Sequence, residues 1–285
     1  MTKHFIITLF NLKIWNEDKA NMPTQTFEWL EQRFHLFETY CLPSVKAQTC
    51  QDFQWLCLFD EGTSEVFRQR IAEWRKSVPQ LQPCFFSAED ASHFRDDDPQ
   101  LRCRFIRQTV ASMLDGADYV ITTNLDNDDA LHRDFVKRVH QAFEETGGEA
   151  LVTFKTGMQY FVSLDAVARM YYPHNHFLNL IERTDQDFRT IEYFRHAKAR
   201  KLLHCVDINE HPYWMEVVHA CNVSNELRIT SRVKYLPQLL TFHFADYGNA
   251  KVLPWTKNVL NFLFTLPAYF CRIAVWRLRK KLWQR

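Results

Sequence analysis

Strand–helix alternation over the first 155 residues constrains this chain more than any other feature. Short apolar runs at 5–10, 53–59, 82–86, 119–123 and 150–154 are separated by stretches with helical spacing at 26–47, 64–76, 101–114 and 131–145. Parallel strands need crossovers of about a dozen residues or more, and helices of this length supply them. The pattern therefore predicts an α/β fold, a mostly parallel sheet flanked by helices. Thr63-Ser64-Glu65 predicts a helix start and Gly147-Gly148 a stop, while Pro43 predicts a break in the first helix. After residue 156 the rhythm becomes irregular. Tyr171 to His176 reads as an aromatic loop, a helix is expected over 187–200, and a strand over 202–206. With 6 Gly in 285 residues and no internal repeat, collagen-like and glycine-rich architectures are excluded.

Charge divides the chain further. From Lys251 onward there are eight basic residues (Lys251, Lys257, Arg272, Arg277, Arg279, Lys280, Lys281 and Arg285) and no acidic one, so the total of +1 leaves about −7 on the preceding 250 residues. Three regions result: 1–155, 156–250, and a basic amphipathic helical tail at 251–285. An acidic body argues against a nucleic-acid partner, because the cations do not form a groove-sized stripe. Residues 258–271 are uncharged, but these 14 residues fall short of the ~20 that span a bilayer. Beyond them, Cys271, Val275, Leu278 and Leu282 share one helical face, and Trp276 and Trp283 lie one heptad apart. Such a tail suits the interface of an anionic membrane rather than its interior, or else a helix packed on the acidic body. The eight cysteines form no CxxC pair, and the N-terminus runs directly into a strand-like segment without an export signal. A reduced cytoplasmic protein, peripheral on the inner face of the membrane, is the expectation.

The segment Tyr119-Val120-Ile121-Thr122-Thr123-Asn124-Leu125-Asp126-Asn127-Asp128-Asp129 carries the chemistry. A buried strand delivers three carboxylates onto one turn, at the strand end where open α/β sheets bind ligands. Crowded carboxylates repel one another unless a cation sits among them. Oxygen donors suit Mg²⁺ or Mn²⁺, which would in turn hold a diphosphate. Helix capping accounts for one of the three acids, not for all. An EF-hand fails, since Leu131 stands at its glycine position and Lys137 at its bidentate glutamate position. Asp60 closes a second strand, placed either to accept hydrogen bonds from a nucleoside or simply to turn the chain.

These segments together resemble the nucleotide-sugar half of a GT-A-type glycosyltransferase. More narrowly, the chain is similar to a bacterial family of rhamnosyltransferases. The resemblance is carried by Cys41-Leu42-Pro43-Ser44-Val45, Phe59-Asp60, Asp126-Asn127-Asp128-Asp129, Asn175-His176-Phe177, Ile181-Glu182 and the run from Trp214 to Asn225. It implies a donor half at 1–155, an acceptor side at 156–250, and transfer from a nucleotide diphosphate sugar, dTDP-rhamnose among them, to a saccharide or lipid-linked glycan. Asp60, Arg107 and Asp126 would bind donor. Asp126 and Asp128, with His219, would hold the metal. Glu182, or next Glu216, would be the base of an inverting reaction, and Trp214 and Asn222, with Tyr171 and Tyr172, would face the acceptor. Two departures stand out: Arg107 is not followed by Asn, and no glutamate–aspartate pair occurs in the second half. The rival reading is a GT-A-like protein that binds a nucleotide sugar or glycan without catalysis.

Overall fold

The computed structural model describes residues 1–14, 17, 23–96, 98–185, 187–194, 196–219, 234–238 and 240–265, together with Pro267, Cys271 and Val275. Strands β1 (Thr2–Leu9), β2 (Gln54–Asp60), β3 (Leu81–Phe86), β4 (Tyr119–Asn124), β5 (Ala130–Leu131), β6 (Ala150–Phe154), β7 (Thr156–Phe161), β8 (Ala166–Tyr171), β9 (Leu178–Arg183), β10 (Cys205–Ile208), β11 (Trp214–Val218) and β12 (Lys234–Pro237) make two sheets. The larger has the order β10-β6-β9-β4-β1-β2-β3. All its strands are parallel except β9, which runs antiparallel to both β4 and β6. The smaller has the order β12-β8-β7-β11-β5. The helices are α1 (Phe27–Leu36), α2 (Leu42–Lys46), α3 (Glu65–Ser77), α4 (Ala88–Ser92), α5 (Pro99–Ala111), α6 (Phe135–Thr146), α7 (His196–Leu202) and α8 (Trp255–Leu260).

Alternation along β1 and β2 explains why the large sheet is covered on both faces. Ile6, Trp55, Cys57 and Phe59 enter one apolar cluster with Phe34 and Phe37, Trp74 of α3 and Val139 of α6. Phe5, Ile7, Leu56 and Leu58 enter the opposite cluster with Ile106 and Val110 of α5. Strands buried on both faces read as continuous apolar runs, which is how β2 appears in the sequence. The small sheet has its own core, in which Met158, Tyr160, Met215 and Val217 pack with Phe244, Tyr247 and Leu253.

Three local expectations are corrected. The first helix does not break at Pro43. A π-turn at Phe37–Cys41 joins α1 to α2, and the Leu42 N–H reaches the Phe37 carbonyl, a wider turn that absorbs the N–H proline lacks. The helix expected from 131 begins at Phe135, because Ala130 and Leu131 pair with Met215 and Trp214. The helix expected over 187–200 is shortened to α7, because the backbone of 189–191 is captured elsewhere. Glu182 accepts the N–H groups of Arg189 and Thr190, Thr122 Oγ1 accepts that of Ile191, and Thr190 sits at φ +71°.

Candidate active site at the junction of the two sheets

The acidic turn leaves β4 in the large sheet and enters β5 in the small one, so it belongs to both. Each of its residues has a separate task. Asn127 ties the turn to the end of β1, its Nδ2 donating to the Phe10 carbonyl at 2.8 Å. Asp128 is buried and paired. Its Oδ2 accepts from Arg33 Nη1 at 3.0 Å and lies 2.9 Å from His219 Nε2. Burial alone would raise the Asp128 pKa, but His219 and the Arg33 guanidinium outweigh it and hold the group at about 2. Asp129 is fully buried, its Oδ1 accepting the Val217 N–H at 2.8 Å and its Oδ2 lying 2.7 Å from His176 Nε2. Asp126 alone among the three opens to solvent, its side chain 41% exposed, with His176 Nε2 3.7 Å from its Oδ2.

Among the described residues, Asp126, Asp129 and His176 form the one triad of acid and histidine donors whose ligand atoms lie within 4.8 Å of one another. Burial opposes charge on both partners of the Asp129–His176 pair, yet the charge of Asp126 and the hydrogen bond to Asp129 prevail and raise His176 to about 9. A cation among these donors would replace that proton. Two carboxylate oxygens and an imidazole nitrogen suit Mn²⁺ better than Mg²⁺, which prefers oxygen alone. The donor set thus fits a divalent ion, and it shares Asp126 with the expected set. Asp128 and His219 bond to each other beside it.

Asp60 closes β2 at the same carboxyl edge. Its Oδ1 accepts the Gly62 N–H at 2.8 Å and pairs with Lys13 Nζ at 3.2 Å, while its Oδ2 is enclosed without a partner. A buried acceptor left open is costly unless a ligand fills it.

Other anticipated residues lie elsewhere. Glu182 is opposite Val120 at the start of β4, four residues from the strand end and so roughly 13 Å from the turn. Its carboxylate is occupied by the Arg189 and Thr190 backbone and by Arg189 Nε at 2.9 Å. It is a structural clamp, not a free base. Glu216 is buried and accepts from Gln159 Nε2 at 2.9 Å. Arg107 on α5 pairs with Asp187 instead of the acidic turn. Trp214 is wholly buried, donates to the Phe154 carbonyl at 2.8 Å and stacks on Phe177 at 4.8 Å, so no acceptor ring reaches it. Asn222 falls outside the described residues.

Besides Asp129 and His176 as donors, two further residues were not anticipated. Arg33 lies mid-helix with nothing in its neighbours to mark it, and only the tertiary fold brings it to Asp128. Glu192 sits in a 3₁₀ turn, Ile191–Tyr193, pinned to β4 through Thr122. Its Oε1 is enclosed without a hydrogen-bond partner. Burial, reinforced by the charge of Asp126 and opposed by Arg102, pushes it up to about 7. The turn that carries it includes Thr190 at φ +71°, a region unfavourable for a β-branched residue and the kind of backbone that active sites retain.

A family model described as "Putative rhamnosyl transferase" matches residues 17–231. The chain belongs to that family. Its fold is mixed α/β, a central sheet flanked by helices. Among solved structures it is similar to S. aureus TarS residues 1–349 (TM-score 0.41, 12% identity, 75% of this chain and 60% of that one). It is also similar to S. aureus TarS in a longer form (TM-score 0.41, 12% identity, 76% and 37%). A third likeness is the inositol-1-phosphate CTP transferase from T. maritima (TM-score 0.35, 9% identity, 75% and 89%). The chain thus spans 60% or less of the TarS chains it matches. No curated protein matches it.

Proposed function

We propose that this family member is a metal-dependent, inverting glycosyltransferase. It moves a sugar, rhamnose by family, from a nucleotide diphosphate donor such as dTDP-rhamnose to a saccharide or lipid-linked glycan. The observation that carries the reading is the Asp126–Asp129–His176 donor set together with the unpartnered Asp60 Oδ2 two strands away, both at the carboxyl edge of the large sheet. Asp60 receives a donor hydroxyl or base N–H on Oδ2. When bound, the ion supplies positive charge against the leaving diphosphate. Asp129 is held by the Val217 N–H and in turn orients His176, while Asn127 fixes the turn to β1.

Glu192, rather than Glu182, is the base in this reading. The acceptor oxygen forms its bond to the anomeric carbon as the bond from that carbon to the diphosphate oxygen breaks. The hydroxyl proton passes to the Glu192 carboxylate, and the nucleoside diphosphate departs with the bonding pair. A carboxyl group near 7 is suited to this work at neutral pH. Glu182 is a positioning residue, since it clamps the turn that carries Glu192.

A screen of common nucleotide sugars for donor hydrolysis, with and without Mn²⁺, tests the proposal. Turnover of at least one donor that stops with EDTA and returns with Mn²⁺ is expected. Tight nucleotide-sugar binding without turnover of any donor or acceptor would replace it with the non-catalytic reading.

A further inference from the structure

The segment from Lys251 has two characters. Its first part is built into the body. Leu253 is buried in the core of the small sheet. Asn258 is fully buried, its Oδ1 accepting the Val167 N–H at 2.8 Å and its Nδ2 donating to the carbonyls of Val167 at 3.1 Å and Gln238 at 2.8 Å. Asn261 Nδ2 donates to the carbonyls of Leu164 and Asp165, and the Asp165 carboxylate takes both Lys251 and Lys257. The root of the tail is therefore a rigid fixture, not a tether.

The second part turns apolar side chains outward. Leu260 is 53% exposed, Leu263 63% and Phe264 75%. Pro267, Cys271 and Val275 are also exposed. Trp255 and Val252 on the root, and Leu240 beside it in sequence, are exposed as well. Positions 260, 264, 267, 271 and 275 follow the four-and-three spacing of a single helical face, and the sequence continues it at Leu278 and Leu282. None of these residues carries a charge. A soluble chain seldom leaves such a run uncovered.

Charge identifies the cover. This segment holds eight cations and no acid, on a body of about −7. Two such tails packed together would oppose like charges across an apolar seam. An anionic bilayer accepts the apolar face in its acyl boundary and the cations at its headgroups, and it repels the acidic body, which leaves the tail as the contact. Trp276 and Trp283 supply the amphipathic rings that settle at such interfaces.

We propose that the outward apolar face of this segment lies in the plane of an anionic membrane surface, with Leu260, Leu263, Phe264 and Val275 in the acyl boundary. The Asp165 clamp fixes the orientation of the body above it. The inference is independent of the transfer reaction, because vesicle binding is read without donor or acceptor. Deleting residues 252–285 is a poor test, since Leu253 and Asn258 belong to the body. The full-length chain is instead sedimented with phosphatidylglycerol-containing vesicles and with pure phosphatidylcholine vesicles. Binding to the anionic vesicles at low salt is expected, weakened at least about tenfold by neutral lipid or by ~0.5 M salt, where the Debye length is only a few ångströms. The Leu263→Asp/Phe264→Asp variant, altered only at exposed positions, should lose at least about tenfold in binding with its melting temperature unchanged. Absence of binding to anionic vesicles, or equal binding by the variant, overturns the proposal. So does a dimer that the variant abolishes without any vesicle binding, which would make the face a contact between two copies.

Discussion

Glu192→Gln gives a test of the base assignment that needs no substrate. The Glu192 side chain is half-buried with its Oε1 enclosed and unpartnered, which disfavours the ionised form, and its pKa rises from an ordinary 4.5 to about 7. Between those two values the unfolded chain has released this proton and the folded chain has kept it. Stability therefore falls as pH rises from 4.5 towards 7 and levels off above it. A displacement of this size costs the folded state up to about 3 kcal/mol at pH 8 and almost nothing at pH 4.5. Glutamine carries no charge, so Glu192→Gln should be more stable than the parent by about 2–3 kcal/mol at pH 8, with the gain shrinking towards zero near pH 4.5. Urea unfolding of both proteins at several pH values reads the difference directly. The same variant should lose about 10²–10⁴ in transfer rate. A stability difference that does not change with pH would refute the enclosed-carboxyl argument. Full activity of the variant would refute the catalytic one.

Asp126→Ala and Asp129→Ala should each weaken Mn²⁺ binding by at least about tenfold, with Asp129→Ala also destabilising because the Val217 N–H and His176 lose their partner; manganese titration followed by spin resonance checks both. Asp60→Ala should weaken binding of the free nucleotide diphosphate by roughly 1–3 kcal/mol, read by calorimetry. Gly157→Ala should cost about 1–3 kcal/mol in thermal melting, because the added carbon would lie 2.1 to 2.3 Å from the Trp214 ring. Buried His4 and half-buried His140, 3.1 Å apart, are held below the usual histidine value, His4 by burial and by His140, and His140 by burial. Stability should then fall as pH drops below 6.5, by up to about 1.4 kcal/mol per pH unit for His4 and less for His140, as the unfolded state protonates first, and a His4→Gln/His140→Gln variant should fall less steeply in urea titrations from pH 7 to 5.

The parallel core was legible because β1, β2 and β4 are apolar on both faces and punctuated by helices with ordinary caps. The positions of Asp60 and Asp126 at the carboxyl ends of β2 and β4 were legible for a related reason, since topology alone places such acids in an α/β sheet. What stayed hidden depends on contacts between distant residues. Asp128 and Asp129 are neighbours of identical chemistry, yet Arg33 and His219 claim one and His176 the other. Glu182 and Glu192 are equally plausible acids in sequence, and only the backbone N–H groups of Arg189 and Thr190 decide which is spent on structure. Trp214 looked like a sugar platform because aromatic residues serve both roles. Its place over Gly157 and Phe177 follows from sheet pairing that no local pattern reveals.

Strand β9 has a consequence for how the chain is made. It fills the gap between β4 and β6, and β6 has no neighbours in its sheet except β9 and β10. When residue 155 emerges from the ribosome, β4 exposes an open edge and β6 has nothing to pair with. Both wait for residues 178–183, which arrive only after the β7–β8 hairpin of the other sheet. The first 155 residues are therefore not a folding unit by themselves. A fragment ending there should aggregate through its bare edge, whereas one extended through β10 closes the sheet.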